Sequence, residues 1–170
     1  MGDTRAFPPV FMADGGGSLN AMAVLERDHA HLRQLLDALG QATTDRAYDQ
    51  KKALFRTFKT ALHVHARLEE EVFYPAVMKL RSEAARKTVK EALDEHQAVD
   101  SIIAEIDQME PEDGQYDAKL ESLRTSIEHH ARTEEQAMFA EARNHLTDDR
   151  LLALGRQMIA LRERPPELAS

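Results

Sequence analysis

One six-residue phrase occurs twice in this chain with a single difference at its fourth position, as His65-Ala66-Arg67-Leu68-Glu69-Glu70 and as His130-Ala131-Arg132-Thr133-Glu134-Glu135, offset by 65 residues. Each copy sets a histidine four residues ahead of a glutamate, and on an α-helix residues four apart stack on one face. A further histidine stands upstream of each copy, His29 after Glu26-Arg27-Asp28 and His96 after Leu93-Asp94-Glu95. The chain therefore reads as two similar halves, each of the form His…His-x-x-x-Glu. Four imidazoles and two carboxylates are a ligand set suited to a pair of first-row transition ions.

The rest of the sequence supports the helical reading. Alanine, leucine, glutamate, lysine and arginine dominate, and five of the seven glycines lie at or before Gly40. That is a helical composition. Residues 1–18, with two prolines and Gly15-Gly16-Gly17, are expected to form a flexible arm. Ser18 or Asn20 can cap a first helix that stops near Gly40. Thr43, Thr44 or Asp45 can cap a second helix reaching about residue 80, with a kink or early end at Pro75. Ser82 opens a third helix that ends before Pro111, a fourth runs from about Tyr116 to Asn144, and Thr147 with Asp148 caps a short fifth ending before Pro165-Pro166. The expected fold is all-α: an up-down-up-down antiparallel four-helix bundle over residues 19–145, then a short C-terminal helix and tail over 146–170.

Apolar stripes place the six residues within this bundle. The first helix carries Met22, Leu25, His29, Leu32, Leu36 and Leu39. The second carries Phe58, Leu62, His65, Glu69, Val72 and Ala76. The third carries Val89, Leu93, His96, Val99, Ile103 and Ile106, and the fourth Leu123, Ile127, His130, Glu134 and Ala137. Each stripe must face a bundle core. His29, His65, Glu69, His96, His130 and Glu134 all interrupt a stripe. A lone histidine on an apolar face is usually a hydrogen-bonded core residue. Six polar groups on four converging stripes are different, because burying two glutamates without a cation costs several kcal/mol each or forces protonation. Metal binding removes that cost, since ionised carboxylate and neutral imidazole are the forms a metal takes.

The remaining histidines have other expected roles. His31 and His63 lie about 200° around their helices from His29 and His65, at about 100° per residue. His129 is one step from His130, and His145 lies further along the fourth helix. Glu70 and Glu135 are turned one step off the seam, where a solvated charge or salt bridge is the ordinary role and a contact with a ligand histidine the alternative. A ferritin-like site would need Glu-x-x-His on two helices. Here Glu26-x-x-His29 stands alone, with Leu93 three before His96.

Several classes are excluded or disfavoured. The absence of cysteine rules out disulfides, Fe–S clusters and thiolate zinc sites. A net charge of −8 argues against nucleic acid or an anionic membrane surface as partner. No apolar run approaches a membrane span, and the N-terminus lacks a secretory h-region. Ala6 stands where a myristoylation signal wants Ser or Thr. A cytoplasmic protein is the expectation.

The pattern His, His-x-x-x-Glu, His, His-x-x-x-Glu resembles the hemerythrin-like (HHE cation-binding) family, and Glu69-Glu70-Glu71-Val72-Phe73-Tyr74-Pro75 resembles the stretch that follows the first motif there. The resemblance spans about residues 19–145. It implies two non-haem iron ions, with His29, His65, His96 and His130 as terminal ligands. Glu69 and Glu134 would bridge the irons beside an oxo or hydroxo bridge (Fe-O-Fe or Fe-OH-Fe). Which two histidines share an iron does not follow from sequence. The chain departs from the oxygen-carrying hemerythrins of marine invertebrates, which have a further histidine on the third helix and an aspartate as second carboxylate. Here Ala92 and Asp100 flank His96 four residues away on either side, and the second carboxylate is Glu134. The expected site is thus more open, suited to reactions of dioxygen, peroxide or nitric oxide. Storage or sensing of oxygen or iron, and iron delivery to damaged iron centres, are the alternatives. Neither a sensory output domain nor a cysteine-bearing delivery domain accompanies the bundle in these 170 residues, which favours small-molecule chemistry in oxidative or nitrosative stress protection. Phe73 and Tyr74 are expected either to line the pocket or to serve as ordinary core.

Overall fold

The computed structural model describes residues 19–44 and 47–164. Five helices account for the architecture. α1 spans Ala21–Thr44. α2 starts as Tyr48–Leu68, widens into a π-helical turn over Glu69–Phe73, and continues as Tyr74–Met78. α3 is Glu83–Ile106. α4 repeats the pattern of α2, with Tyr116–Thr133, a π-helical turn at Glu134–Met138, and Phe139–His145. α5 is Asp148–Arg162. No strand occurs among the described residues, and no helix there is long and apolar enough to cross a membrane.

The long helices α1 to α4 form the antiparallel bundle, with α1 against α2 and α4, α3 against α4, and α5 lying along α1. Their apolar faces make two separate layers. One holds Leu25 of α1, Phe73 and Val77 of α2, Val89 of α3, and Met138 and Phe139 of α4, and is closed by Leu154 and Met158 of α5. The other holds Leu32, Leu35 and Leu39 of α1, Phe58 of α2, Ile106 of α3, and Leu123 and Ile127 of α4. Each fully buried large side chain in these layers contributes roughly 1.5–3 kcal/mol. Between the two layers lies a slab of polar residues.

Several local signals act as expected. Asn20 caps α1, accepting from the Ala23 amide at 2.9 Å. Ser82 caps α3, accepting from Ala85 at 3.1 Å, and Thr147 caps α5, accepting from Arg150 at 3.2 Å. Others differ. α1 does not stop at Gly40 but runs one more turn to Thr44, and Gly40 sits on an open face of the helix. Thr43 and Thr44 are therefore inside α1, their hydroxyls donating to the carbonyls of Leu39 and Gly40. α2 begins after Ala47 without a side-chain cap. Residues 1–18, Asp45 and Pro165-Pro166, including the expected arm and the proline stop, lie outside the described residues.

The stripes also shift. Leu93 is 39% exposed, and Ala92 is the residue of α3 that turns inward. Beyond each glutamate the buried position moves by one: Phe73 rather than Val72, and Met138 rather than Ala137. The π turn causes this, because it inserts one extra residue into a helical turn and rotates everything downstream. Pro75 follows the first π turn, but Ala140 holds the equivalent place in the second half. The proline is therefore not what makes the turn.

Candidate metal centre

The polar slab is made by the six residues of the repeated pattern, delivered by four helices. His29 comes from α1, His65 and Glu69 from α2, His96 from α3, and His130 and Glu134 from α4. Both glutamates open a π turn. Such a turn displaces helical hydrogen bonding and commonly stands at functional sites.

Five of the six converge tightly. One ligand-type atom from each of His29, His65, Glu69, His130 and Glu134 lies within 4.8 Å of all the others, and all five residues are buried. His65 Nε2 is 3.0 Å from Glu69 Oε1, and His29 Nε2 is 3.2 Å from Glu134 Oε2. His96 stands at the edge of this cluster and is 13% exposed. Its Nε2 is 3.1 Å from Glu69 Oε2 and 3.4 Å from the Tyr74 hydroxyl. Tyr74 thus reaches the site, while Phe73 packs edge-on to Phe139 at 5.6 Å in the neighbouring core layer.

The inner atoms lack hydrogen-bond partners. Nε2 of His29, His65 and His130, and both carboxylate oxygens of Glu69 and Glu134, are buried and unpaired. A protein interior seldom tolerates such a concentration of orphaned acceptors and donors. A cation bound among them would satisfy all of them at once.

Three of the four outer nitrogens are occupied instead. Nδ1 of His29, His96 and His130 donates to Glu135 at 2.8 Å, Glu70 at 2.7 Å and Glu95 at 3.0 Å respectively. Nδ1 of His65 makes no hydrogen bond and only faces the Asp28 carboxylate at 3.5 Å, which Arg162 of α5 holds at 2.5 Å. Glu70 and Glu135 take the histidine-contacting role that was the alternative for them. Asp28, Glu95 and Arg162 were not singled out from sequence. The available signal was an acidic residue directly before His29 and again before His96.

Burial and neighbouring charges set the protonation of the group. Burial, aided by His65 nearby, lowers His29 to about 2. Burial also acts to lower His65, but Glu69 and Asp28 outweigh it and raise it to about 10. His130 is raised too, with burial overcome by Glu69 and Glu95. Burial would lift Glu69, yet His65, His130 and His96 hold it well below the ordinary carboxylate range. Glu134 is pushed far up by burial and by the Glu69 charge beside it. Glu69 is therefore the ionised carboxylate, with protons on Glu134, His65 and His130 that a metal ion would displace.

The other histidines stay outside the cluster. His129 contacts Glu95 at 3.2 Å and His145 contacts the Glu141 carbonyl at 3.0 Å. His63 is one of the residues lining a cavity of about 930 Å³ whose lining also includes His29, His65, His96 and His130. Leu32, Leu62, Val99 and Ile127 line its walls, and Lys59, Arg67 and Asp100 stand among the residues lining it.

Comparison with known proteins agrees with this picture. Residues 20–142 match the hemerythrin HHE cation-binding domain model. The protein Rv2633c of Mycobacterium tuberculosis is 31% identical over 143 residues, covering 84% of each chain. A DNA nickase of Nostoc is 27% identical over 131 residues, which span 77% of this chain and 36% of that protein. A crystal structure of the Rv2633c homolog from Mycobacterium kansasii, a hemerythrin HHE cation-binding domain-containing protein, superposes with a TM-score of 0.75 at 28% identity. It covers 85% of this chain and 86% of that one.

Proposed function

This chain belongs to the hemerythrin HHE cation-binding domain family, and from that premise we propose that it is a non-haem diiron protein that binds or reduces peroxide, nitric oxide or dioxygen in protection against oxidative or nitrosative stress. The observation that carries the reading is the set of inward donor atoms, four imidazole nitrogens and four carboxylate oxygens, most of them buried without any other partner. All are nitrogen or oxygen, the mixture that suits iron among the first-row ions. Bound iron would supply redox equivalents and Lewis acidity to a small ligand.

The side chains divide into two groups. The rings of His29 and His65 are 4.7 Å apart, and those of His96 and His130 are 4.9 Å apart. The closest cross pairs, His29 with His130 and His65 with His130, stand at 6.1 Å and 6.4 Å. These spacings support a reading in which His29 and His65 would hold one ion and His96 and His130 the other. Glu69 lies between the pairs, with Oε1 toward His65 and Oε2 toward His96, and with Glu134 would serve both ions.

Leu32, Leu62, Val99 and Ile127 form an apolar part of the cavity lining that suits small neutral molecules, while Lys59, Arg67, Glu70, Glu71, Asp100 and Arg164 make another part of it charged. α3 contributes His96 alone, since Ala92 is buried and Asp100 is exposed at the cavity. With that single donor from α3, the site keeps room for an exogenous ligand. The Nostoc nickase is matched over about a third of its own length and lends no activity to this reading.

Metal analysis and absorption spectroscopy of the isolated protein test the proposal. About two irons per chain are expected. His65→Ala or His130→Ala should lose much of the metal, and His31→Ala or His145→Ala should keep it. Stopped-flow mixing of the reduced protein should show reaction with peroxide or nitric oxide, and oxidation in air. A stable, reversible oxygen-bound spectrum without turnover of peroxide or nitric oxide would replace this reading with oxygen binding.

A further inference from the structure

Four acidic side chains outside the proposed ligand set follow one rule around the bundle. Asp28 of α1 faces Nδ1 of His65 on α2, at 3.5 Å. Glu70 of α2 accepts from Nδ1 of His96 on α3, at 2.7 Å. Glu95 of α3 accepts from Nδ1 of His130 on α4, at 3.0 Å. Glu135 of α4 accepts from Nδ1 of His29 on α1, at 2.8 Å. Each is the chain neighbour of a proposed ligand on its own helix, yet each serves the histidine of the next helix. The contacts close a circuit from α1 through α2, α3 and α4 back to α1.

We infer that Asp28, Glu70, Glu95 and Glu135 form a ring of positioning residues around the four histidines, three through hydrogen bonds and Asp28 through the charge it turns to His65, that keeps Nδ1 protonated and Nε2 facing the place a metal would take. The inference rests on the metal reading above. An ionised carboxylate only accepts hydrogen bonds, so the proton it faces belongs on Nδ1. That leaves the Nε2 lone pair inward, sets the ring plane, and makes the imidazole a stronger donor to a metal. Three of the four carboxylates are held from behind: Asp28 by Arg162 at 2.5 Å, Glu135 by Arg33 at 3.5 Å, and Glu95 by His129 at 3.2 Å. The Arg162 contact gives α5 a part in the site, although α5 contributes no ligand.

The test uses the full chain, labelled with 15N and loaded with zinc, which is diamagnetic. Zinc affinity is read by chelator competition, and each imidazole by its long-range 1H–15N correlations. Asp28→Asn, Glu70→Gln, Glu95→Gln and Glu135→Gln should each weaken zinc by about 10-fold to 100-fold. The perturbed Nδ1 resonance should belong to the next helix's histidine, so Glu95→Gln moves His130 and leaves His96 in place. The exposed Glu91→Gln, which loses only its contact with Lys87 at 3.7 Å, should do neither. Glu70 is 46% exposed, so Glu70→Gln decides the matter even where a variant of buried Asp28 fails to fold. Wild-type zinc affinity in the Gln variants, or a shift confined to the histidine adjacent in the chain, overturns the ring alone. A wild-type chain that takes up neither zinc nor iron(II) overturns the metal reading, and the ring with it.

Discussion

Replacing Gly155 by alanine probes how α5 is seated, and two effects of opposite sign compete in it. Within an isolated helix the change stabilises by about 1 kcal/mol, because glycine is a poor helix former. In this fold Gly155 is buried where α5 meets the start of α1. A Cβ there would stand 2.0 Å from the carbonyl oxygen of Leu19, 2.9 Å from the carbonyl carbon of Asn20 and 3.0 Å from that of Leu19. Ordinary contact begins at 3.4 Å, and all three atoms are backbone, so no rotamer change relieves the overlap. The helices must part, or the capped turn at Asn20 must move.

Overpacking of this kind costs about 1–3 kcal/mol net. For a domain of this size each kcal/mol shifts Tm by about 2–4 °C, so Gly155→Ala should melt roughly 2–12 °C lower. Calorimetry of the metal-free protein gives the value directly. Displacing α5 also draws Arg162 away from Asp28, so metal affinity should fall in the same variant. A melting temperature unchanged or raised would mean that helix propensity wins, and would refute the close seating of α5 on α1.

Metal removal should lower Tm, because binding energy adds to folding energy when the unfolded chain lacks the site; an unchanged Tm after verified removal contradicts the centre. That difference should widen from pH 7 to pH 9. His65, raised to about 10, and His130, also raised, lend the metal-free fold stability that is complete below their ordinary value of 6.5 and is lost as pH rises through their folded values. Raised Glu134 acts in the same direction. Metal binding must expel the protons these groups hold, so affinity rises with pH, and a chelator competition series giving constant affinity over this range would refute the assignment.

Much of the fold was legible because the helices obey local rules. Asn20, Ser82 and Thr147 each place an oxygen where an unpaired helix amide needs one, and all three helix starts follow from that. Gly40 misled because a glycine near a helix end signals a stop only when the backbone turns there. In this chain the helix simply continues, at the modest cost that a solvent-exposed glycine carries. The one-residue shift after Glu69 and Glu134 could not be read from stripes, since a regular period of 3.6 residues contains no π turn. The two halves repeat the same phrase and the same turn, and only one of them holds a proline, so the shared His-x-x-x-Glu-Glu segment is the better sequence marker for it.

The inner site was visible because its residues break an apolar pattern, and a break in a pattern can be seen from one helix alone. The outer carboxylates break nothing. Glu70, Glu95 and Glu135 sit where a charged residue is ordinary, at the flank of a helix facing its neighbour, and Asp28, though buried, lies beside the apolar stripe of α1 rather than on it. Their partners lie on other helices, and a one-dimensional reading pairs each with the wrong histidine. Geometry explains the actual pairing. A residue one step from an inward-pointing ligand is rotated by about 100° on its own helix, which directs it at the adjacent helix rather than at the core. The outer nitrogen of that helix's histidine lies in this direction. In a four-helix bundle with inward histidines and glutamates, an acidic residue one step before or after them, on the side facing the next helix, comes within reach of the next helix's histidine, and α1 to α4 of this chain each carry such a residue.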